Sequence, residues 1–174
     1  MPPCTMPVDF DSAAWDQLGG HLGKRANDPA FGGWANAHNA IAYRFRGAAV
    51  AEEQFTKTFA FAGDRCAQEE ALFAFFFNAV ASVECSLYGL FHIGAMADPS
   101  AFPIASDQAL RRIDRAAVKK CFQATFSAAA LTAEVVALVD DPVFTQLRDY
   151  RDTLAHRGAI PRHHRVSLRE PSHA

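Results

Sequence analysis

The sequence lacks the patterns that mark zinc proteins, secreted proteins and strongly charged nucleic-acid binders. Its four cysteines (Cys4, Cys66, Cys85 and Cys121) form no CxxC pair, which argues against a zinc site. Three of them fall in predicted helices among apolar neighbours, where we expect buried, reduced thiols. No basic segment followed by an apolar one opens the chain, as a secretory signal would. The formal net charge is −2, so the molecule as a whole does not attract nucleic acid. These absences predict a cytoplasmic protein with no metal and no cofactor.

What the chain does have is enough apolar residues for one ordinary core. Its 174 residues and 19.0 kDa suit a single domain, with 50% hydrophobic and 21% charged residues. The apolar segment 71–96 is long enough to cross a bilayer. Asn78, Glu84 and His92 interrupt it, and a carboxylate at mid-bilayer costs about 2.5–3.5 kcal/mol. We therefore expect a buried helix at the centre of a soluble bundle, and no membrane contact.

The periodicity of apolar residues predicts helices throughout, with no convincing strand and no internal repeat. The predicted helices cover residues 12–19, 36–60, 65–97, 107–139 (one helix or a pair) and 142–156. Glycine and Asn-Asp-Pro make residues 19–34 a predicted loop. The predicted fold class is all-α, a helical bundle of four to five main helices.

The last predicted helix has clear start and stop signals. Asp141 is a good N-cap, Pro142 suits the first turn, Gly158 is a C-cap and Pro161 blocks continuation. The predicted buried face consists of Val143, Leu147, Tyr150 and Leu154. From Arg148 to the end there are six arginines and four histidines but only three acidic residues, so this end of the chain is basic.

An arginine, an acid and a histidine come together on the last turns of this helix: Arg151, Asp152 and His156. Asp152 and His156 are i and i+4, so the carboxylate could hydrogen-bond the imidazole and fix its tautomer. Arg151 and His156 lie about 140° apart around the helix and could flank a groove, with Arg148 extending the positive strip. The same residues at a helix end are also common as solvated charges or a salt bridge.

These residue types suit metal-independent cleavage of RNA. His156 would take the proton from a ribose 2′-hydroxyl, and Arg151 would stabilise charge on the phosphate oxygens. The products would be a 2′,3′-cyclic phosphate and a 5′-hydroxyl. A second histidine is needed as the acid, and a two-fold dimer with facing helices would supply it.

The motif R-D-x-x-x-H, with R-G directly after it and at the end of an all-α bundle, resembles the HEPN superfamily (higher eukaryote and prokaryote nucleotide-binding domains). The family signature is R-x(4–6)-H with a small polar residue after the arginine, and Arg151, Asp152 and His156 match it. The resemblance predicts a HEPN-like bundle over residues 36–160, preceded by an extension with a short helix (1–35) and followed by a basic flexible tail (161–174).

The resemblance implies an endoribonuclease in stress response, toxin or phage-defence systems, acting as a homodimer with facing motifs. Some family members are inactive, so a non-catalytic module that binds nucleotide, RNA or protein is the alternative. An antitoxin or a nucleotidyltransferase is a possible partner of such proteins.

Other residues have both a functional and a structural interpretation. Glu84, Tyr88 and His92 form a polar stripe, and Glu84, if buried, needs a partner such as Arg151 or Arg148. Arg157, with the basic residues after it, could contact an RNA backbone or be part of a solvated tail. The phenylalanines at 73 and 75–77 could stack on bases, but we expect them in the core.

Overall fold

Seven helices and no strand make up the part of the chain that the computed structural model describes, residues 12–58 and 64–156. The helices are α1 (Ser12–Gly23), α2 (Phe31–Thr58), α3 (Arg65–Ala97), α4 (Asp107–Leu110), α5 (Arg115–Thr125), α6 (Ala130–Asp140) and α7 (Pro142–His156). The all-α prediction is confirmed. The predictions for Cys4, Arg157, Gly158 and the segment 161–174 lie outside the described residues.

Helices α3 and α7 have the predicted bounds, whereas the first two helices are longer than predicted. Helix α1 continues to Gly23, and α2 begins at Phe31 rather than at Asn36. The predicted loop 19–34 is therefore helical at both ends, and the predicted domain boundary falls inside α2. In the turn that leads into α2, the Asp28 carboxylate accepts a hydrogen bond from the Ala30 amide at 2.9 Å.

The predicted helix or pair over residues 107–139 is three helices. Asp114 begins α5, because its side chain accepts a hydrogen bond from the Ala117 amide at 2.8 Å. The C-cap of helix α5 is Phe126, whose amide donates a hydrogen bond to the Phe122 carbonyl at 2.8 Å. The Thr132 hydroxyl then donates to the Phe126 carbonyl at 2.7 Å, which ties the start of α6 to that break.

Helices α2 and α3 form an antiparallel hairpin whose close approach depends on small residues. Gly33 lies against the His92 ring near one end, and Gln68 donates to the Thr58 carbonyl at 2.6 Å near the other. Between them, a Cβ on Gly47 would lie 2.9 Å from the side-chain amide carbon of Asn78. The backbone of α2 therefore passes too close to α3 for larger residues at these positions.

The best-packed core lies around the C-terminal half of α3. Phe102, with no exposed surface, is at its centre, and its ring contacts the rings of Phe91, Phe122 and Phe126 at centroid distances of 5.1, 5.2 and 5.7 Å. Arg25 ties the loop after α1 to this region, because its guanidinium donates to the Met96 carbonyl at 2.8 Å. Aromatic contacts of this kind add to the free energy gained by burial.

The N-terminal half of α3 is less covered than predicted. Helix α3 is long and apolar enough to cross a membrane, but only 22% of an apolar 18-residue stretch of it is buried. Phe73 and Phe77 remain 41% and 40% exposed, so the expectation that this phenylalanine cluster is core is wrong for these two residues. The helices α2, α5 and α7 all contact α3, but they leave this aromatic face open.

The cysteines of α3 and α5 are only partly buried. Among the described residues Cys66, Cys85 and Cys121 are free thiols, with Cys66 exposed and the other two half-buried. Burial raises the pKa of Cys85 and of Cys121 above the ordinary thiol value, against the opposing charges of Arg44 and Lys120. These two residues are therefore protonated thiols at neutral pH, and the expectation of full burial is wrong.

The buried histidine His92 gives a prediction about pH. Its ring is 3% exposed, and neither ring nitrogen makes a hydrogen bond within the described part of the chain. Burial lowers the pKa of His92, and a backbone contact with Ala30 opposes the shift only in part. As pH falls below about 6.5, the unfolded chain takes up a proton that the folded protein excludes, so the free energy of unfolding decreases. Urea unfolding at pH 7.5 and pH 5.5 measures this decrease.

The matched variant for that measurement is His92→Gln, which cannot titrate in this range. Its free energy of unfolding is expected to fall less between the two pH values than that of the wild type. An equal fall in both proteins would show that His92 is not the source of the pH dependence.

Candidate functional site

The face that helix α7 buries only partly matches the predicted one, of which Leu147 and Leu154 are half-buried. Asp141 caps its start, accepting a hydrogen bond from the Val143 amide at 2.6 Å. The buried residue is Phe144, 4% exposed, whereas Val143 and Tyr150 of the predicted buried face are 60% and 46% exposed. Arg151 also packs against α3, with its side chain 22% exposed. A hydrophobicity pattern counts arginine as polar and therefore does not place it on a buried face.

Arg151 is held between two carboxylates. Its Nε donates to Oδ1 of Asp152 at 2.9 Å, and its Nη1 donates to Oε1 and Oε2 of Glu84 at 3.1 and 3.3 Å. Burial lowers the pKa of Arg151, but the hydrogen bond to Asp152 and the charge of Glu84 outweigh it, so the pKa is raised. The side chain is 22% exposed. The guanidinium is thus a fixed cation with its Nη2 unpaired among the described residues.

Asp152 does not orient His156, contrary to the sequence-based prediction. Its carboxylate bonds Arg151, and no hydrogen bond joins it to His156 in the described structure. A charged guanidinium on the neighbouring residue is a stronger partner than an imidazole one turn away. His156 is exposed in the last turn of α7.

Glu84 and Tyr88 lie near the motif, as the sequence predicted, but Glu84 is not buried. The Glu84 side chain is 49% exposed, so its ion pair with Arg151 is a half-exposed contact between α3 and α7. Tyr88 lines the same cavity as Glu84. Its ring contacts the His92 ring at a centroid distance of 4.6 Å. The predicted polar stripe therefore runs along α3 from the contact between Glu84 and Arg151 to the buried His92 ring.

Arg148 faces a cavity of about 680 Å³ rather than simply extending a positive strip. The nearest carboxylate to its guanidinium is that of Asp149, at 3.9 Å. Two other arginines line this cavity, Arg44 from α2 and Arg115 from α5. Sequence reasoning missed both of these residues. For Arg44 the available signal was a cation inside the apolar stripe of α2.

No group of three or more histidine, cysteine or acidic side chains suited to a metal ion is found in residues 12–58 and 64–156. The charged and titratable groups of the motif and its partner on α3 are Arg151, Asp152, His156 and Glu84. Comparison of the chain with protein-family models, with curated proteins and with solved structures finds no match.

The Glu84–Arg151 contact should be measurable as a coupling between α3 and α7. In a double-mutant cycle of Glu84→Gln and Arg151→Gln, we expect a coupling of about 0.5–1 kcal/mol, since the pair is half exposed. Urea unfolding of the four proteins gives this value. The control cycle is Glu53→Gln with Lys57→Gln, an exposed i, i+4 pair within α2 whose coupling should be smaller, about 0.2–0.5 kcal/mol. Equal results from both cycles would contradict a role of this contact in docking α7.

Proposed function

We propose that the protein is a metal-independent endoribonuclease of the HEPN type. The observation that carries this proposal is the arrangement on α7: Arg151 is fixed against α3 by Glu84, and His156 of the same helix is exposed. A fixed cation and an accessible imidazole that flank a groove on the same helix suit attack of a ribose 2′-hydroxyl on the adjacent phosphate. His156 acts as the general base, and Nη2 of Arg151 contacts the phosphate oxygens.

In this proposal the protein works as a homodimer, whose second copy supplies the histidine that protonates the leaving oxygen. Exposed aromatic residues beside the site support a partner surface: Phe73 and Phe77 on α3 and Tyr150 on α7 are 41%, 40% and 46% exposed. The Tyr150 ring contacts the Phe76 ring at 5.1 Å, so the exposed aromatic surface of α7 continues onto α3. Apolar surface of this kind often marks an interface between proteins.

The test is cleavage of RNA by the full chain in the presence of EDTA. The expected products carry a 2′,3′-cyclic phosphate and a 5′-hydroxyl, and an RNA with a 2′-deoxynucleotide at the scissile position should resist cleavage. Sedimentation velocity on the same sample should show a dimer. If no RNA is cleaved, or if cleavage needs a metal ion, the proposal is wrong.

A second candidate is a non-catalytic HEPN-like module that binds nucleotide, RNA or protein in the cytoplasm. It is favoured by the pairing of Arg151 with two carboxylates, because two negative charges offset its one positive charge. In this case Arg151 docks α7 and binds no phosphate. The module would bind its ligand without turnover, so product analysis separates the two candidates.

A further inference from the structure

The cavity beside the motif has the size and the walls of a ligand site. It lies between α2, α3, the start of α5 and α7, with a volume of about 680 Å³. Small-molecule sites in proteins have volumes of about 300–1,000 Å³, with mostly apolar walls and a few polar groups. The apolar part of this wall includes Ala37, Ala40, Ala81, Leu87, Val118 and Phe144.

Three arginines on this wall have no close carboxylate partner. Arg44 donates to Oδ1 of Asn78 at 3.2 Å and stands over the Phe77 ring. Arg115 makes no ion pair with any described residue, and Arg148 is 3.9 Å from its neighbour in sequence, Asp149. The wall therefore carries three cations that lack a close anionic partner.

The two carboxylates of the wall are already engaged. Glu84 accepts hydrogen bonds from Arg151, which is not part of the cavity lining. Asp114 caps α5 by accepting a hydrogen bond from the Ala117 amide. Because partly buried cations without a counter-charge are unfavourable, an anion in the cavity would stabilise all three arginines.

We propose that this cavity binds a small organic anion, with its charged group on the arginines and its apolar body against the alanines, Leu87 and Phe144. The planar guanidinium groups can bind either a phosphate or a carboxylate with two hydrogen bonds. Tyr88 and Asn36 supply further polar groups on the wall. The cavity adjoins the proposed RNA site through Glu84 and Arg148, but the anion-binding proposal stands whether or not the protein cuts RNA.

Isothermal titration calorimetry of the full chain with 1-naphthyl phosphate and with 1-naphthoate tests the proposal. At least one of the two should bind saturably with one site per chain, and the tighter one names the charged group. Neutral 1-naphthol and inorganic phosphate, at the same ionic strength, should each bind at least tenfold more weakly. If neither naphthyl anion binds, or if 1-naphthol binds as tightly as they do, the proposal is wrong.

Variants locate the binding. Arg115→Gln and Arg148→Gln should each weaken binding of the better naphthyl anion about tenfold, as expected for the loss of one charge-assisted hydrogen bond. The matched control is Arg112→Gln, an exposed arginine near Arg115 that does not line the cavity. It should bind as the wild type does. Far-UV circular dichroism and thermal unfolding confirm that each variant is folded. Unchanged affinity in both cavity variants would place the anion elsewhere and overturn the proposal.

Discussion

The substitution His156→Ala should reduce RNA cleavage by at least about 10²-fold without changing the fold. General acid–base catalysis contributes about 10²–10⁴-fold, so removal of the proposed base should cost at least the lower figure. His156 is exposed and makes no hydrogen bond within the described residues, so the free energy of unfolding should change by less than about 0.5 kcal/mol. Single-turnover cleavage rates and urea unfolding of the same preparations measure both effects.

The matched control for His156 is His21, an exposed histidine in the last turn of α1. His21→Ala removes the same side chain from a comparable position at a helix end, and it should cleave RNA at the wild-type rate. Equal rates for His156→Ala and the wild type would remove His156 from the mechanism. Equal losses in the two variants would show that the effect is not specific to the motif.

Arg151→Lys complements this experiment because lysine keeps the charge but lacks the planar fork. A single ammonium group cannot bond Asp152 and Glu84 in the same geometry while presenting a donor to phosphate. The cleavage rate should fall about 10²–10³-fold, as when one donor to a developing oxyanion is removed. If Arg151→Lys loses only stability and keeps the cleavage rate, Arg151 docks α7 and has no part in catalysis.

The sequence was sufficient to predict those helices whose ends carry strong local signals. Asp141 and Pro142 fix the start of α7, and Asp98 with Pro99 ends α3, because caps and proline act within one turn. One helix or a pair was predicted over residues 107–139 where three occur, since Asp114, the N-cap of α5, stands in an otherwise helical pattern. Capping depends on where the chain turns, which one residue type does not specify.

Arg151 was one of two arginines expected to pair with Glu84, because a carboxylate on an apolar helix needs a cation. The exposure of the Glu84 side chain was not predictable, since it depends on how far α7 covers α3. The same limit explains Phe73 and Phe77. When a helix is apolar on all sides, its periodicity does not show which side the neighbouring helices leave open. The cavity required the packing of four chain segments, so the sequence carried no local signal for Arg115 and, for Arg44, only that of a cation among apolar residues of α2.

A methyl group at Gly33 should destabilise the protein strongly, because α2 passes directly over a buried ring. A Cβ at this position would lie 2.1–2.5 Å from three atoms of the His92 imidazole. That ring also contacts Tyr88 and is almost fully buried, so it has little room to move. Gly33→Ala is expected to lower the free energy of unfolding by about 3 kcal/mol, the upper end of typical overpacking costs. Urea or thermal unfolding followed by circular dichroism measures the change.

The neighbouring glycine is a matched control for this prediction. A Cβ at Gly32 would meet nothing within 4 Å, and both glycines lie in the first turn of α2. Gly32→Ala should therefore leave stability unchanged or raise it by up to about 1 kcal/mol, as alanine favours a helix over glycine. Because the cost at Gly33 arises from one ring, Gly33→Ala should cost much less in a His92→Ala background. A cost that stays the same in that background would place the clash elsewhere and contradict the close α2–α3 packing at His92.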